Sequence, residues 1–82
     1  MPAPNPTHSA LAYPHFMVIS VNGETHELPA GSSIPALLER LGLKDAACAV
    51  EVNRELVPKR QHAAKELREG DTIEVVTLVG GG

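Results

Sequence analysis

The sequence predicts an α+β domain in which one mixed sheet curls around a single main helix. Three observations indicate this fold: an Asn-Gly pair joins two short apolar runs, one amphipathic helical segment follows, and several short strand-like runs complete the chain. The resulting order, β-β-α-β-β-β, suits a single sheet packed on one helix. With 82 residues, the chain has room for one domain with one core.

A hairpin opens the patterned region. The segment "FMVISVNGETHEL" (16–28) places Asn22-Gly23 between two short runs of strand-forming residues. Asn-Gly is the strongest short-range signal for a two-residue hairpin turn, because both positions tolerate positive φ. We therefore expect strands over residues 16–21 and 24–28.

The single helix follows in "PAGSSIPALLERLGL" (29–43). Its apolar side chains recur at helical spacing, at Ile34, Leu37, Leu38 and Leu41. Ser32 or Ser33 is placed to cap its start, and Pro35 falls in the first turn, where a missing N–H costs little. Gly42 marks the end of the helix.

The remaining elements are short. A third strand is expected over 47–53 and a fourth over 55–57, followed by an irregular or briefly helical crossing over 59–67. The pair Gly70-Asp71 then predicts a turn into a last strand, "TIEVVTLV" (72–79).

Alternation along the last strand predicts which side chains face the helix. If the carboxylate of Glu74 faces solvent, period 2 turns the odd-numbered side chains inward: Ile73, Val75 and Thr77. Val76 and Leu78 are then exposed on the outer face. Because they precede a glycine tail, we interpret them as a docking patch for a partner.

The two ends of the chain carry no apolar periodicity. Residues 1–15 contain four of the seven prolines and are predicted to be a flexible extension. The predicted organisation is therefore an extension over 1–15, a folded domain over 16–79 and a flexible tail over 80–82.

Composition argues against several classes of function. A net charge of −3 with one tyrosine and one phenylalanine offers neither a basic patch nor stacking platforms for nucleic acid. No run approaches the roughly 20 apolar residues that span a bilayer, and the start lacks the features of a signal peptide. A single cysteine is consistent with a reducing compartment, so a cytoplasmic location is expected.

Other reactive side chains are assigned structural roles. Cys48 lies between alanines, with no adjacent basic residue in sequence, and is predicted to be a small core residue. The four histidines show no metal-ligand spacing and are expected to solvate the surface: His8, His15, His26 and His62. The scattered carboxylates offer no acid-base pair, so no catalytic or metal site is predicted.

The chain resembles a known family, the ubiquitin-like sulfur carriers with the β-grasp fold, and most closely the carriers of the thiamin pathway. The similarity covers residues 17–82. It rests on the terminal glycines and on four ordered segments: "VNGE" (21–24), "LPAGSSIPALLERLGL" (28–43), "VEVNRELVPKRQ" (50–61) and "LREGDTIEVV" (67–76). Three terminal glycines stand where two would satisfy the family pattern.

This resemblance implies a carrier that catalyses nothing, binds no cofactor tightly and is monomeric when free. A partner resembling the ubiquitin-activating enzymes would use ATP and magnesium to adenylate the carboxylate of Gly82. Sulfur delivered as a persulfide, from cysteine desulfurase or another donor, would displace AMP and leave a thiocarboxylate for thiazole synthase. The partner-binding residues would be Val76, Leu78, Val79, Gly80 and Gly81.

The physical chemistry of glycine suits this role independently. Three extended residues reach roughly 10 Å, and without Cβ atoms they fit a narrow channel in a partner. Three alternatives remain open: a sulfur carrier of another pathway, such as the small subunit of molybdopterin synthase or a carrier for cysteine or thionucleoside synthesis; a ubiquitin-like protein modifier; and an interaction module with an inert tail.

Overall fold

The structure is a computed structural model that describes residues 15–78. Most of the predicted extension (1–14) and the end of the chain (79–82) lie outside the described residues. Within the described part, five strands form one sheet: β1 (Phe16–Val21), β2 (Glu24–Pro29), β3 (Cys48–Val52), β4 (Glu55–Val57) and β5 (Thr72–Thr77). One α-helix, α1 (Ile34–Arg40), and one 3₁₀ helix (Lys59–Ala64) complete the fold.

The strands lie in the order β2-β1-β5-β3-β4. β1 and β5 are parallel, whereas the other neighbours are antiparallel. The predicted mixed sheet on a single helix is therefore confirmed, and it is the arrangement of the ubiquitin-like β-grasp fold. β5, the last strand, is central in the sheet, with β1 on one side and β3 on the other.

The sheet and α1 enclose one apolar core. Its buried members come from all five strands, from α1 and from one residue of the segment before β5: Met17, Ile19, Val21, Leu28, Ile34, Leu37, Leu38, Val50, Val52, Val57, Leu67, Ile73 and Val75. Leu67 reaches this core from a segment without regular structure, which is held by the hydrogen bond from its N–H to the carbonyl of Ser32 at 2.9 Å. The irregular crossing predicted for 59–67 therefore closes one side of the core.

The predicted hairpin turn is confirmed. Asn22 and Gly23 both have positive φ, 50° and 84°, as a type I′ turn requires. A second turn of the same kind, which the sequence did not predict, joins β3 to β4 at Asn53 and Arg54, with φ of 52° and 71°.

The ends of α1 differ in how well they were predicted. Gly42 has a φ of 78° and donates to Glu39 O, while Leu43 N donates to Leu38 O at 2.7 Å, the two bonds of a Schellman motif. At the start, Ser33 occupies the N-cap position, but its side chain makes no capping bond. The hydroxyl of Ser32 donates to Pro29 O at 2.6 Å, so the predicted N-cap position is confirmed at Ser33 but no serine side chain bonds to the start of the helix.

Two details of the last strand were wrong. β5 ends at Thr77 and not at residue 79, and the side chain of Thr77 is exposed where we expected it to face the helix. The physical reason for this exposure is that β5 continues past the end of β1, which pairs with it only as far as Ile73, whereas β3 pairs with it up to Thr77. Smaller differences of one residue occur at the ends of β2 and β3.

His62 also departs from expectation. It is only 7% exposed, and its Nε2 lies 3.0 Å from the carbonyl oxygen of Val57. Since a carbonyl only accepts, Nε2 carries the proton in this bond. The 3₁₀ helix turns this ring inward, which the spacing of histidines in the sequence does not indicate. Across residues 15–78, no helix is both long and apolar enough to cross a membrane.

Candidate functional site

β5 is the element that leads to the terminal glycines. It makes five residue pairs with β3, from Cys48↔Thr77 to Val52↔Ile73, but only two with β1, Ser20↔Thr72 and Val21↔Ile73. β5 therefore continues past the end of β1 with one edge paired and the other not.

The side chain of Asn22 takes the place of the missing β1 residues. Its Oδ1 accepts from the N–H of Val75 at 2.8 Å, and its Nδ2 donates to the carbonyl of Val75 at 3.2 Å. The amide thus reproduces the donor and acceptor of a neighbouring strand. The Asn-Gly pattern predicts only the turn role of Asn22, because this second role depends on a contact across 53 positions of the chain.

A second asparagine holds the start of β5 from the opposite side. Asn53 N–H donates to Thr72 O at 2.7 Å, and Asn53 Oδ1 accepts from Thr72 N–H at 2.9 Å. Its Nδ2 donates to Asp71 Oδ1 at 3.0 Å, while Asp71 Oδ2 accepts from Arg68 N–H at 2.8 Å. The two asparagines therefore bond to β5 from both of its neighbouring strands, at Val75 on the β1 side and at Thr72 on the β3 side.

The outer face of β5 becomes apolar toward the tail. Val76 and Leu78 are 58% and 56% exposed, whereas Ile73 and Val75 are buried against the core. Val76 pairs with Ala49 on β3. Leu56 on β4 lies diagonal to Ala49 on the same face of the sheet and is 64% exposed. We call these four residues the apolar patch: Ala49, Leu56, Val76 and Leu78. The predicted orientation of Val76 and Leu78 is confirmed.

Two carboxylates border the apolar patch. Glu51 on β3 and Glu74 on β5 are directly opposite each other, and both are exposed on the outer face. Like charges in this position destabilise a sheet. A cationic group on a partner would relieve this repulsion, so the charge pattern favours a partner with basic residues beside an apolar surface.

Not all of the predicted site residues lie in the described part of the structure. Val76 and Leu78 are placed on the same exposed face, next to the point at which the chain leaves the sheet. Val79, Gly80, Gly81 and Gly82 lie outside the described residues, and their roles remain predictions.

Cys48 is half-buried and packs against the core, but its surroundings differ from those inferred along the sequence. It lines a cavity of about 210 Å³ together with Lys44, Lys59 and His62. The fold therefore brings basic side chains near the thiol, although none is adjacent in sequence. Between residues 15 and 78, no three His, Cys, Asp or Glu side chains are grouped to hold a metal ion.

Residues 16–82 match the ThiS family, and this match extends through the apolar patch to the last glycine. The chain belongs to the ThiS family. Among curated relatives, the sulfur carrier protein ThiS of Escherichia coli is 32% identical over 66 residues, which cover 80% of this chain and 100% of that protein.

A longer relative of this ThiS-family chain is a thiazole synthase of Paramagnetospirillum magneticum, 39% identical over 66 residues. The matched region covers 80% of this chain but only 20% of that protein. A thiazole synthase of Magnetococcus marinus is 42% identical with the same coverage. This chain therefore spans about a fifth of the length of these two relatives.

The fold comparison agrees with the family. The structure of a thiamine biosynthesis protein (ThiS) from Geobacter metallireducens superposes with a TM-score of 0.69 at 28% identity. The superposition covers 80% of this chain and 100% of the Geobacter chain. The part of the chain that these ThiS relatives leave uncovered corresponds in length to the predicted N-terminal extension.

Proposed function

We propose that this protein is the sulfur carrier for formation of the thiazole ring of thiamin, and that it acts as a protein co-substrate and not as a catalyst. The observation that carries the proposal is the ThiS-family match over residues 16–82, which includes the terminal glycines. The names of the relatives, sulfur carrier and thiazole synthase, support the pathway. We place this reaction in the cytoplasm.

The chemistry begins at the carboxylate of Gly82. A carboxylate accepts sulfur only after one of its oxygens is made a leaving group, so a partner adenylates it with ATP and magnesium and releases pyrophosphate. The terminal sulfur of a donor persulfide then attacks the acyl carbon and displaces AMP. A thiol cleaves the S–S bond that still joins this sulfur to the donor, which leaves a thiocarboxylate.

The described residues supply the surface on which that partner docks. Val76 and Leu78 give the apolar centre, and Glu51 and Glu74 give an acidic border. Interfaces commonly combine a desolvated apolar core with a polar rim. The adenylating enzyme is therefore expected to present apolar side chains flanked by lysine or arginine, while Gly80 and Gly81 give reach and clearance for Gly82.

The recipient of the sulfur is thiazole synthase in this proposal. Its support is the presence of a segment similar to this chain inside two proteins named thiazole synthase. Sulfur carriers of other pathways and ubiquitin-like modifiers share the terminal chemistry, so the test must distinguish among the products.

The test is intact-protein mass spectrometry after incubation with ATP, magnesium, a ubiquitin-activating-like enzyme, cysteine desulfurase and cysteine. We expect a mass gain equal to replacement of one oxygen by sulfur at Gly82. The matched control carries one alanine after Gly82, which moves the acceptor carbon by roughly 3.5 Å and adds a Cβ. A displacement of about 1 Å already costs roughly a hundredfold in a positioned reaction, so the control should gain no sulfur.

Three results would contradict the proposal: sulfur gained at Cys48, equal gain by the extended control, or a conjugate to lysine in place of a thiocarboxylate. Addition of thiazole synthase together with its carbon and nitrogen co-substrates to the charged carrier then tests the pathway. Loss of the sulfur from Gly82 with formation of thiazole product is expected, and a carrier that stays charged would favour another recipient.

A further inference from the structure

The backbone of Thr77 faces an open edge of the sheet. Along β5 the hydrogen-bonding groups alternate in direction: Leu78 N–H donates to Ala47 O at 2.8 Å toward β3, whereas Ile73 O accepts from Asn22 N–H at 2.9 Å on the β1 side. The alternation turns the N–H and C=O of Thr77 to the β1 side. Within residues 15–78, β1 pairs with β5 only as far as Ile73, and Asn22 covers only Val75.

This open position lies inside the proposed docking surface. Val76 and Leu78 flank Thr77 and are both more than half exposed. A partner that covers these two side chains and encloses the tail also removes water from the backbone between them. Buried N–H and C=O groups must be paired, because leaving them unpaired is costly.

We propose that an extended segment of the adenylating partner adds to β5 as a short strand, pairing with the N–H and C=O of Thr77. This inference rests on the proposed function. It identifies which backbone groups the partner binds next to the glycine tail. Strand addition is a general mode of peptide recognition in which main-chain bonds supply affinity. Here the strand pairing also fixes the position of the glycine tail relative to the partner.

Asn22 limits the length of the added strand. Its amide already occupies the donor and acceptor of Val75, so a partner strand must end at Thr77. One open position is too little to hold two copies of this chain together, because isolated short strand pairs are only marginally stable. The contact therefore needs a larger interface, which the partner provides by enclosing the apolar patch and the tail.

Amide hydrogen exchange measured by NMR tests the proposal directly. In the free protein, the Thr77 amide should exchange much faster than the amides of Val75 and Leu78, which are both hydrogen-bonded. Saturation with the adenylating enzyme should slow exchange at Thr77 by at least about tenfold. Unchanged exchange at Thr77 in the saturated complex would overturn strand addition, as would protection that grows with the concentration of the free protein alone.

A matched pair of variants gives a second measurement. Thr77→Pro removes the N–H but leaves the β3 pairing intact, since that N–H does not face β3. Thr77→Ala removes the side chain and keeps the N–H. We expect Thr77→Pro to weaken binding to the adenylating enzyme by about tenfold, and Thr77→Ala to change it by less than about twofold.

Equal affinities of the two variants, with melting temperatures near that of the native chain, would overturn the inference. The two proposals fail in different ways. A native chain that acquires the thiocarboxylate while Thr77 stays unprotected in the complex overturns strand addition alone. A native chain that acquires no thiocarboxylate overturns the carrier function and this inference with it.

Discussion

Arg54 holds a positive φ of 71° in the turn between β3 and β4, a conformation that costs a residue with a Cβ roughly 1–2 kcal/mol. In the described part of the chain its side chain makes no hydrogen bond or ion pair that would offset this cost. Asn22 has a similar φ of 50°, but its side chain makes two hydrogen bonds to Val75. The cost of the positive φ is therefore offset by side-chain hydrogen bonds at Asn22 but not at Arg54.

Arg54→Gly should stabilise the protein. Glycine adopts this conformation without steric strain, and the turn then becomes Asn-Gly, the preferred pair for type I′. We expect the free energy of unfolding to rise by about 1 kcal/mol, which raises Tm by about 4–8 °C in a domain of this size. Thermal unfolding followed by circular dichroism measures this, and a Tm that falls would contradict it.

Asn22→Gly should have the opposite effect. Glycine also accepts the positive φ, so the change isolates the two side-chain hydrogen bonds to Val75. Their loss should lower the free energy of unfolding by about 1–3 kcal/mol. Urea titration of this variant beside Arg54→Gly gives the comparison. Equal shifts for the two glycine variants would mean that the Asn22 amide contributes nothing to stability.

At the scale of the element, β5 carries two functions on its two faces. Ile73 and Val75 belong to the core, while Val76 and Leu78 stay exposed next to the tail. Period 2 in the sequence predicted this division from Glu74 alone. The sequence did not predict where the division ends, because the exposure of Thr77 depends on how far β1 extends beside β5.

Val76→Asp or Leu78→Asp should weaken binding to the adenylating enzyme while the isolated domain stays folded. A charge on the exposed face is harmless in water but costly in a desolvated interface. Isothermal titration calorimetry with the enzyme measures the loss, which we expect to be at least tenfold, or about 1.4 kcal/mol.

Two controls sharpen this result. Thr25→Asp adds the same charge to the outer face of β2, away from the apolar patch, and should leave the affinity unchanged. Val75→Asp, on the buried face of the same strand, should lower stability by several kcal/mol. Native affinity in both patch variants would place the docking surface elsewhere on the molecule.

At the scale of the whole molecule, the ThiS-family match does not include the predicted N-terminal extension. The first contact of the described chain is the hydrogen bond from Ala30 N–H to His15 O at 2.7 Å, so a deletion should spare His15. The ThiS-family match begins at residue 16, immediately after it.

Deleting residues 1–14 should leave both stability and sulfur transfer nearly unchanged, because this segment offers no periodic apolar face to dock. The checks are Tm from thermal unfolding and the yield of thiocarboxylate by mass spectrometry. A drop of Tm by more than about 4 °C, equivalent to about 1 kcal/mol, would mean that the extension packs on the domain. The exposed side chain of Phe16 is then the first contact to examine.

What the sequence by itself determined are the features that depend on neighbours along the chain. The Asn22-Gly23 turn, the apolar stripe of α1, the stop at Gly42 and the alternation in β5 each follow from a local spacing and a backbone preference. Their ordered combination also carried the family resemblance.

Only the tertiary structure decided the features that depend on which strands become neighbours. The bond between Asn22 and Val75 joins residues 53 positions apart, and the burial of His62 depends on how the 3₁₀ helix crosses the core. The open edge at Thr77 likewise arises because β1 ends before β5 does. Such contacts leave no periodic trace in the sequence, since they are set by strand order and relative length and not by local preference.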